Sequence, residues 1–147
     1  MPRSTRPGLI LLAGALCALV ALGPLPLGAE GPPGIAFVQA PEQAAGVATG
    51  PDPARAFAAA TDGCVEGGAA PEDCLPVAWC FPAGWSIDLF VMHVEGLHWH
   101  EVHCGLPDRE AALEVADLLC DVSRRPWIAD CLLVQMHDPE GMPRIDD

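Results

Sequence analysis

The sequence contains no lysine, no asparagine and no tyrosine, and all seven of its basic residues are arginine. Without asparagine there is no N-x-S/T glycosylation acceptor, so nothing indicates a glycosylated eukaryotic secretory protein. Arginine in place of lysine, together with abundant alanine, glycine and proline, is typical of GC-rich coding. These absences favour a bacterial protein.

Serine is also scarce, which limits the chemistry open to the chain. The three serines are Ser4, Ser86 and Ser123, and Ser86 lacks the G-x-S-x-G turn of a hydrolase nucleophile. A serine hydrolase is therefore not indicated.

Positive charge is sparse, with seven basic residues against twenty acidic ones and a net charge of −13. A chain this acidic repels phosphate backbones and anionic headgroups, which argues against binding nucleic acid or a membrane surface. The same charge favours cations, or a protein partner with a basic surface.

The first 29 residues have the layout of a secretory signal peptide. Arg3 and Arg6 precede an uncharged apolar run over residues 9–22, and the small pair Gly28-Ala29 follows. We expect cleavage after Ala29 and a location in the periplasm or outside the cell. The alternative is an uncleaved segment retained as a membrane anchor, which would be the protein's only membrane attachment.

Cleavage at that point removes one of the seven cysteines and both of the first two arginines, which changes the net charge from −13 to −15. Six cysteines in a short exported chain predict three disulfides, with fifteen connectivities open. A bridge across the glycine-rich loop between Cys64 and Cys74 is the pairing we favour. No C-x-x-C pair occurs, which disfavours a redox motif or a zinc ribbon. The six cysteines are Cys64, Cys74, Cys80, Cys104, Cys120 and Cys131.

Hydrophobic patterning predicts an α+β fold. Residues 85–104 read as a central β-hairpin and residues 127–136 as a further strand of the same small antiparallel sheet. A long helix over residues 107–123 and a short one over residues 53–61 would pack on it.

The domain boundaries follow from composition. Residues 30–51 have few large apolar side chains and predict a flexible leader rich in proline, glycine and alanine. A single domain would then occupy residues 52–137, followed by a polar tail over residues 138–147. The sequence shows no evident internal repeat.

Four of the five histidines lie between His93 and His103, which marks the hairpin as the candidate site. His98 and His100 must share one face of any strand because side chains alternate. If the turn is symmetric about Glu95-Gly96, His93 lies opposite His98 and three imidazoles can converge on zinc or copper. If the turn is a three-residue loop with Gly96 in the left-handed region, His93 changes face and leaves the cluster. The apolar pattern does not distinguish the two registers.

The four residues from Leu97 to His100 are similar to the metal-binding strand of the α-type carbonic anhydrases. The resemblance implies only that two histidines at this spacing on a strand can hold zinc, since the chain is too short for that family's large sheet.

Two functions follow from these patterns. The first is a non-enzymatic binding or interaction module of the bacterial envelope, stabilised by disulfides. The alternative is a transition-metal protein or small zinc hydrolase that uses His93, His98 and His100.

Overall fold

The computed structural model describes residues 32–144, so the predicted signal peptide lies outside the described residues. The structure confirms the α+β class but divides the strands between two antiparallel sheets where one was predicted. The elements in order are β1 (Gly34–Ala40), β2 (Ala44–Gly50), α1 (Pro53–Glu66), β3 (Leu75–Cys80), β4 (Trp85–His93), β5 (His98–Leu106), α2 (Arg109–Leu119), β6 (Ile128–His137) and β7 (Pro143–Arg144).

The predicted flexible leader was wrong where the structure describes it, because residues 34–50 form the β1–β2 hairpin. Every residue of β1 except Gln39 is buried. Small side chains suffice here because α1 approaches the sheet very closely: a Cβ added to Gly46 of β2 would lie 1.8 Å from the carbonyl oxygen of Ala60. Counting large apolar residues underestimates a core built mainly from alanine and glycine.

The described chain consists of two ββαβ units in tandem. Sheet 1 has the strand order β2-β1-β3, and sheet 2 has the order β5-β4-β6 with β7 added at its edge. In each unit a hairpin leads into a helix, and the last strand then pairs antiparallel with the first strand of the hairpin. The two halves therefore share one topology.

The repeated unit has a sequence counterpart, so the expectation of no internal repeat was wrong. Both helices begin after a Pro-Asp pair, and in each the aspartate side chain accepts a hydrogen bond from the backbone N–H three residues on. Two buried alanines and a cysteine follow at intervals of four, which places them along one face of the helix. The pattern P-D-x3-A-x3-A-x3-C comprises Asp52, Ala56, Ala60 and Cys64 in α1, and Asp108, Ala112, Ala116 and Cys120 in α2.

Both helices differ in length from the prediction. Helix α1 continues to Glu66, past the predicted end at residue 61. Gly63 lies within the helix, where an added Cβ would be 3.6 Å from the Cα of Gly46. Helix α2 is shorter than predicted and ends at Leu119; the next residue, Cys120, caps the helix and is bridged to Cys131 of β6.

The molecule has four layers, in the order α1, sheet 1, sheet 2 and α2. One cluster of buried residues joins α1 to sheet 1 and a second joins α2 to sheet 2. The two sheets face each other through their remaining surfaces, where Ile35 and Phe37 of β1 are buried and Phe37 meets the ring of His137 edge-on at 5.7 Å.

The segment predicted as a polar tail contributes to the packing between the two sheets. Asp138 is buried and accepts hydrogen bonds from the backbone of Glu140 and Met142 and from Arg144 of β7. Gly141, at φ +80°, lies against Thr49 and Val47 of sheet 1. Residues 138–144 are thus an ordered part of the fold.

Three disulfides join all six cysteines expected to pair. Cys64–Cys74 is the pairing favoured in the sequence, and Cys120–Cys131 occupies the equivalent place in the second unit. Cys80–Cys104 instead connects β3 of sheet 1 to β5 of sheet 2. Three disulfides indicate an oxidising, extracytoplasmic environment.

Between residues 32 and 144, neither helix is long and apolar enough to cross a membrane.

Candidate functional site

The register of the β4–β5 hairpin decides which histidines can act together. Met92 pairs with His98 and Phe90 pairs with His100, so Val94, Glu95 and Gly96 form a three-residue loop. Gly96 adopts φ +90°, the left-handed conformation that this loop requires. Of the two registers left open by the sequence, the one symmetric about Glu95-Gly96 is wrong.

This register separates His93 from His98 and His100. Strand alternation places His93 on the face of Val91, and its Nδ1 accepts a hydrogen bond of 3.1 Å from the Glu95 backbone N–H. In residues 32–144 no group of three metal-ligating side chains comes together. The three-histidine arrangement is therefore not formed, while His98 and His100 share a face as predicted.

A cleft of about 660 Å³ lies between the two sheets and contains that face of β5. Its walls come from the end of β1, the β1–β2 turn, the start of β2, and β3, β4 and β5. The residues that line it are mostly apolar, with a few polar side chains that converge from both sheets. They are Gln39, Ala40, Pro41, Glu42, Gln43, Ala44, Ala45, Val77, Asp88, Phe90, His98, Trp99 and His100.

His98 crosses the cleft to reach sheet 1. Its Nε2 lies 2.5 Å from Oε1 of Glu42, a residue in the turn between β1 and β2. Glu42 has φ +58°, a conformation uncommon outside glycine, which gives this turn a defined shape. One wall of the cleft thus depends on a turn in the segment that the sequence analysis had treated as a leader.

Asp88 of β4 joins the two sheets at the inner end of the cleft. Its Oδ1 lies 2.8 Å from Nδ1 of His100, and its Oδ2 accepts a hydrogen bond of 3.0 Å from Nε2 of Gln39 in β1. The Asp88 side chain is only 13% exposed. A carboxylate buried to this extent must be paired, and both of its oxygens are.

Phe90 supplies the aromatic surface between the two histidines. Its ring centroid lies 5.5 Å from that of His98 and 5.9 Å from that of His100. The cleft therefore presents an aromatic ring flanked by two imidazole–carboxylate pairs.

A second cavity of about 380 Å³ continues from the first, sharing Gln39, Ala45 and Asp88. His137 of β6 contributes to its wall, is only 9% exposed, and has no hydrogen-bond partner for Nδ1 among the described residues. Burial lowers the pKa of His137 below its ordinary value of 6.5, against the opposing effect of the carboxylates of Asp88 and Asp138. An unpaired nitrogen this deeply buried is costly in a folded protein.

The opposite face of sheet 2 carries a structural ion pair. Arg125 binds both carboxylate oxygens of Glu101, at 3.1 and 2.6 Å, and Trp99 donates its indole N–H to the same group at 2.9 Å. The hydrogen bonds from Arg125 lower the pKa of Glu101, and burial opposes them. His103 lies on this face too, with its Nε2 3.6 Å from Oε2 of Glu101.

His98, His100 and the two possible hairpin registers were identified from the sequence. Four further residues of the two cavities were not: Glu42, Asp88, Gln39 and His137. Asp88 had a detectable signal, because it is an acidic residue inside an otherwise apolar strand. Gln39 and Glu42 had none, since they belong to the segment assigned to the leader.

The cleft offers two carboxylates and two imidazoles, while its lining contains no serine, threonine or cysteine. It is equipped to bind a ligand through charge and hydrogen bonds, and the lining supplies no hydroxyl or thiol nucleophile. Comparisons of the chain with protein-family models, curated proteins and solved structures find no match.

Proposed function

We propose that the chain is a non-enzymatic binding module exported to the bacterial periplasm, and that its ligand binds in the cleft between the two sheets. The observation that supports this most directly is the convergence of Glu42, Asp88, His98 and His100 on Phe90. A mostly apolar cleft with a few convergent polar groups is the usual form of a small-ligand site.

The ligand class that fits is a cation with an apolar body. Both acidic groups of the cleft would attract positive charge, and the chain as a whole carries a net charge of −13. Phe90 and Val77 would contact the apolar part, and Phe90 can also contribute a cation–π interaction. A basic side chain on a protein partner satisfies the same chemistry.

Phenethylamine tests this proposal, because it combines an aromatic ring with an ammonium group. In ¹⁵N–¹H NMR titrations of the mature protein, we expect it to shift the amides of Glu42, Phe90, His98 and His100. Phenylacetate, which has the same ring and the opposite charge, should bind at least tenfold more weakly.

Asp88→Asn should weaken the binding of phenethylamine at least fivefold, because it removes the buried negative charge and keeps a similar shape. Glu114→Gln is the matched control, since Glu114 is exposed on α2 outside the cleft. Equal binding of phenethylamine and phenylacetate, or no shifts at these amides, would refute the proposal.

Transition-metal binding is the competing proposal, and the observation that favours it is that His98 and His100 share a face beside two carboxylates. Metal analysis of protein purified without a histidine tag separates the two. Bound zinc or copper that is lost in the His98→Ala/His100→Ala variant would establish the metal function. If no metal co-purifies and added zinc or copper leaves the melting temperature unchanged, this function is excluded.

A further inference from the structure

The outer edge of β6 is a surface that the cleft does not use, since no residue of β6 is among those that line the cleft. β6 has ten residues, and on one side it pairs with β4 from Ile128 to His137. On its other side, β7 pairs only with Met136 and His137. Within the described chain, residues 129–135 therefore have no neighbouring strand on that side.

Among the sheet edges of residues 32–144, that of β6 is the least protected. Natural edge strands are protected by proline, by charged side chains or by cover from other elements. β3 contains Pro76, which has no backbone N–H to donate, and β5 carries three histidines and a glutamate. β2 has Val47 as its only large apolar residue. On β6, by contrast, Leu132 and Val134 are 52% and 46% exposed, and an exposed apolar edge is a site for pairing with a further strand.

The register of β6 places an apolar and an acidic side chain next to each other on one face. Leu132 pairs with Phe90 and Asp130 with Met92, and the pairing is regular between these two positions. Leu132 and Asp130 are both exposed. Because every strand pair in sheet 2 is antiparallel, an added strand of the same kind would place two of its residues, two positions apart, beside Leu132 and Asp130.

We propose that the edge of β6 binds an extended segment of another protein as a further antiparallel strand, in which an apolar residue is followed two positions later by arginine or lysine. The apolar residue packs on Leu132, and the basic residue pairs with Asp130. Hydrogen bonds to the backbone of β6 supply the affinity, and these two side-chain positions supply the selectivity. This binding surface goes beyond the ligand proposed for the cleft.

Charge distinguishes a basic segment from a second copy of this chain. The chain has a net charge of −13, so two copies repel each other, whereas a basic segment is attracted. Two β6 strands paired with each other would also leave Asp130 without a cationic partner on the opposite strand, because β6 contains no arginine. The acidic edge therefore favours a basic partner.

Two short blocked peptides test this on the mature wild-type protein: Thr-Thr-Val-Thr-Arg-Thr-Thr, and the same sequence with glutamate in place of arginine. Valine and threonine favour extended backbone, and the two peptides differ only in the charge placed beside Asp130. In ¹⁵N–¹H NMR titrations, we expect the arginine peptide to shift the amides of Asp130, Cys131 and Leu132. The glutamate peptide should bind about fivefold more weakly.

Asp130→Asn should abolish the difference in affinity between the two peptides, because it removes the charge and keeps a similar shape. Asp117→Asn is the matched control, since Asp117 is exposed on α2, and it should preserve the difference. Equal binding of the two peptides to the wild-type protein, or no shifts on β6, would overturn the proposal.

A second copy is the other occupant that must be tested. If the protein alone forms a concentration-dependent dimer in sedimentation, and Leu132→Asp abolishes that dimer, the edge pairs with itself and the proposal is overturned. A monomer at all concentrations agrees with it. The result is independent of the cleft: phenethylamine shifts at Phe90 and His98 without peptide shifts on β6 would overturn the strand site alone and leave the proposed function intact.

Discussion

Gln39 and Asp88 are hydrogen-bonded across the gap between the two sheets, with 3.0 Å from Nε2 to Oδ2, and they lie 49 positions apart in the chain. Together with Phe37 and His137, they join layers that otherwise pack mainly on their own helices. Asp88 thereby links the two sheets at the inner end of the cleft.

Gln39→Ala should lower the free energy of unfolding by about 1–2 kcal/mol, because it leaves one oxygen of a largely buried carboxylate without its partner. Urea denaturation measures this. Gln43→Ala is the control, since Gln43 is exposed in the neighbouring turn, and it should change stability by less than about 0.5 kcal/mol. Equal effects of the two substitutions would show that the bond contributes nothing.

The close contact between Gly46 and α1 predicts that alanine substitutions at Gly46 and Gly63, two glycines that face each other, have opposite effects on stability. Gly46→Ala forces a Cβ to within 1.8 Å of the Ala60 carbonyl oxygen and should cost about 3 kcal/mol or more. Gly63→Ala meets only an ordinary contact inside a helix and should stabilise the protein by about 0.5–1 kcal/mol. Thermal melts of the two variants should shift in opposite directions; shifts of the same sign would contradict the close approach.

Adjacent arginines provide a similar comparison. Arg125→Gln removes the two-point contact with Glu101. Because the Arg125 and Glu101 side chains are only 17% and 19% exposed, this should lower the free energy of unfolding by about 2–3 kcal/mol. Arg124→Gln breaks an exposed pair with Asp121 and should change the free energy of unfolding far less than Arg125→Gln does. Denaturant titration measures both, and similar values would mean that the Glu101 pair is no stronger than a surface pair.

His137 predicts how stability depends on pH. Its pKa is lowered in the folded protein, so below the ordinary value of 6.5 the unfolded chain takes up a proton that the folded protein does not. The free energy of unfolding should therefore fall as the pH drops below 6.5, by at most about 1.4 kcal/mol per unit from this residue, and the fall should end below the folded pKa. His137→Phe should flatten this part of the profile. An unchanged slope would mean that other groups cause the pH dependence.

The parts of the fold that depend on local patterns could be predicted from the sequence. The α2 region and the β4–β5 hairpin were placed correctly because their patterning is strong, and the hairpin left only two registers open. Gly96 decides between those registers, but the sequence around Glu95-Gly96 is compatible with both turns, and only packing in the folded protein selects one.

The parts that depend on contacts between distant segments could not be predicted in this way. Residues 34–50 have little hydrophobic bulk, and their strands are stable because α1 offers an equally small surface to pack against. The Pro-Asp and cysteine spacing common to α1 and α2 was the available clue. It indicates that the two helices belong to equivalent units, and because a hairpin was predicted before the second helix, it also predicts one before the first. Glu42, the partner of His98, and Gln39, the partner of Asp88, both lie in that missed hairpin.

The chain passes from sheet 1 to sheet 2 once within the described residues, through the segment 81–84, and Cys80–Cys104 bridges the same two sheets. Phe81 and Pro82 in that segment are exposed. A protease that cuts there would divide the polypeptide into two fragments of one ββαβ unit each, yet they would migrate as a single molecule until a reductant was added. Outside the cytoplasm, the bridge would thus let the protein keep both halves of its cleft after its backbone has been cut.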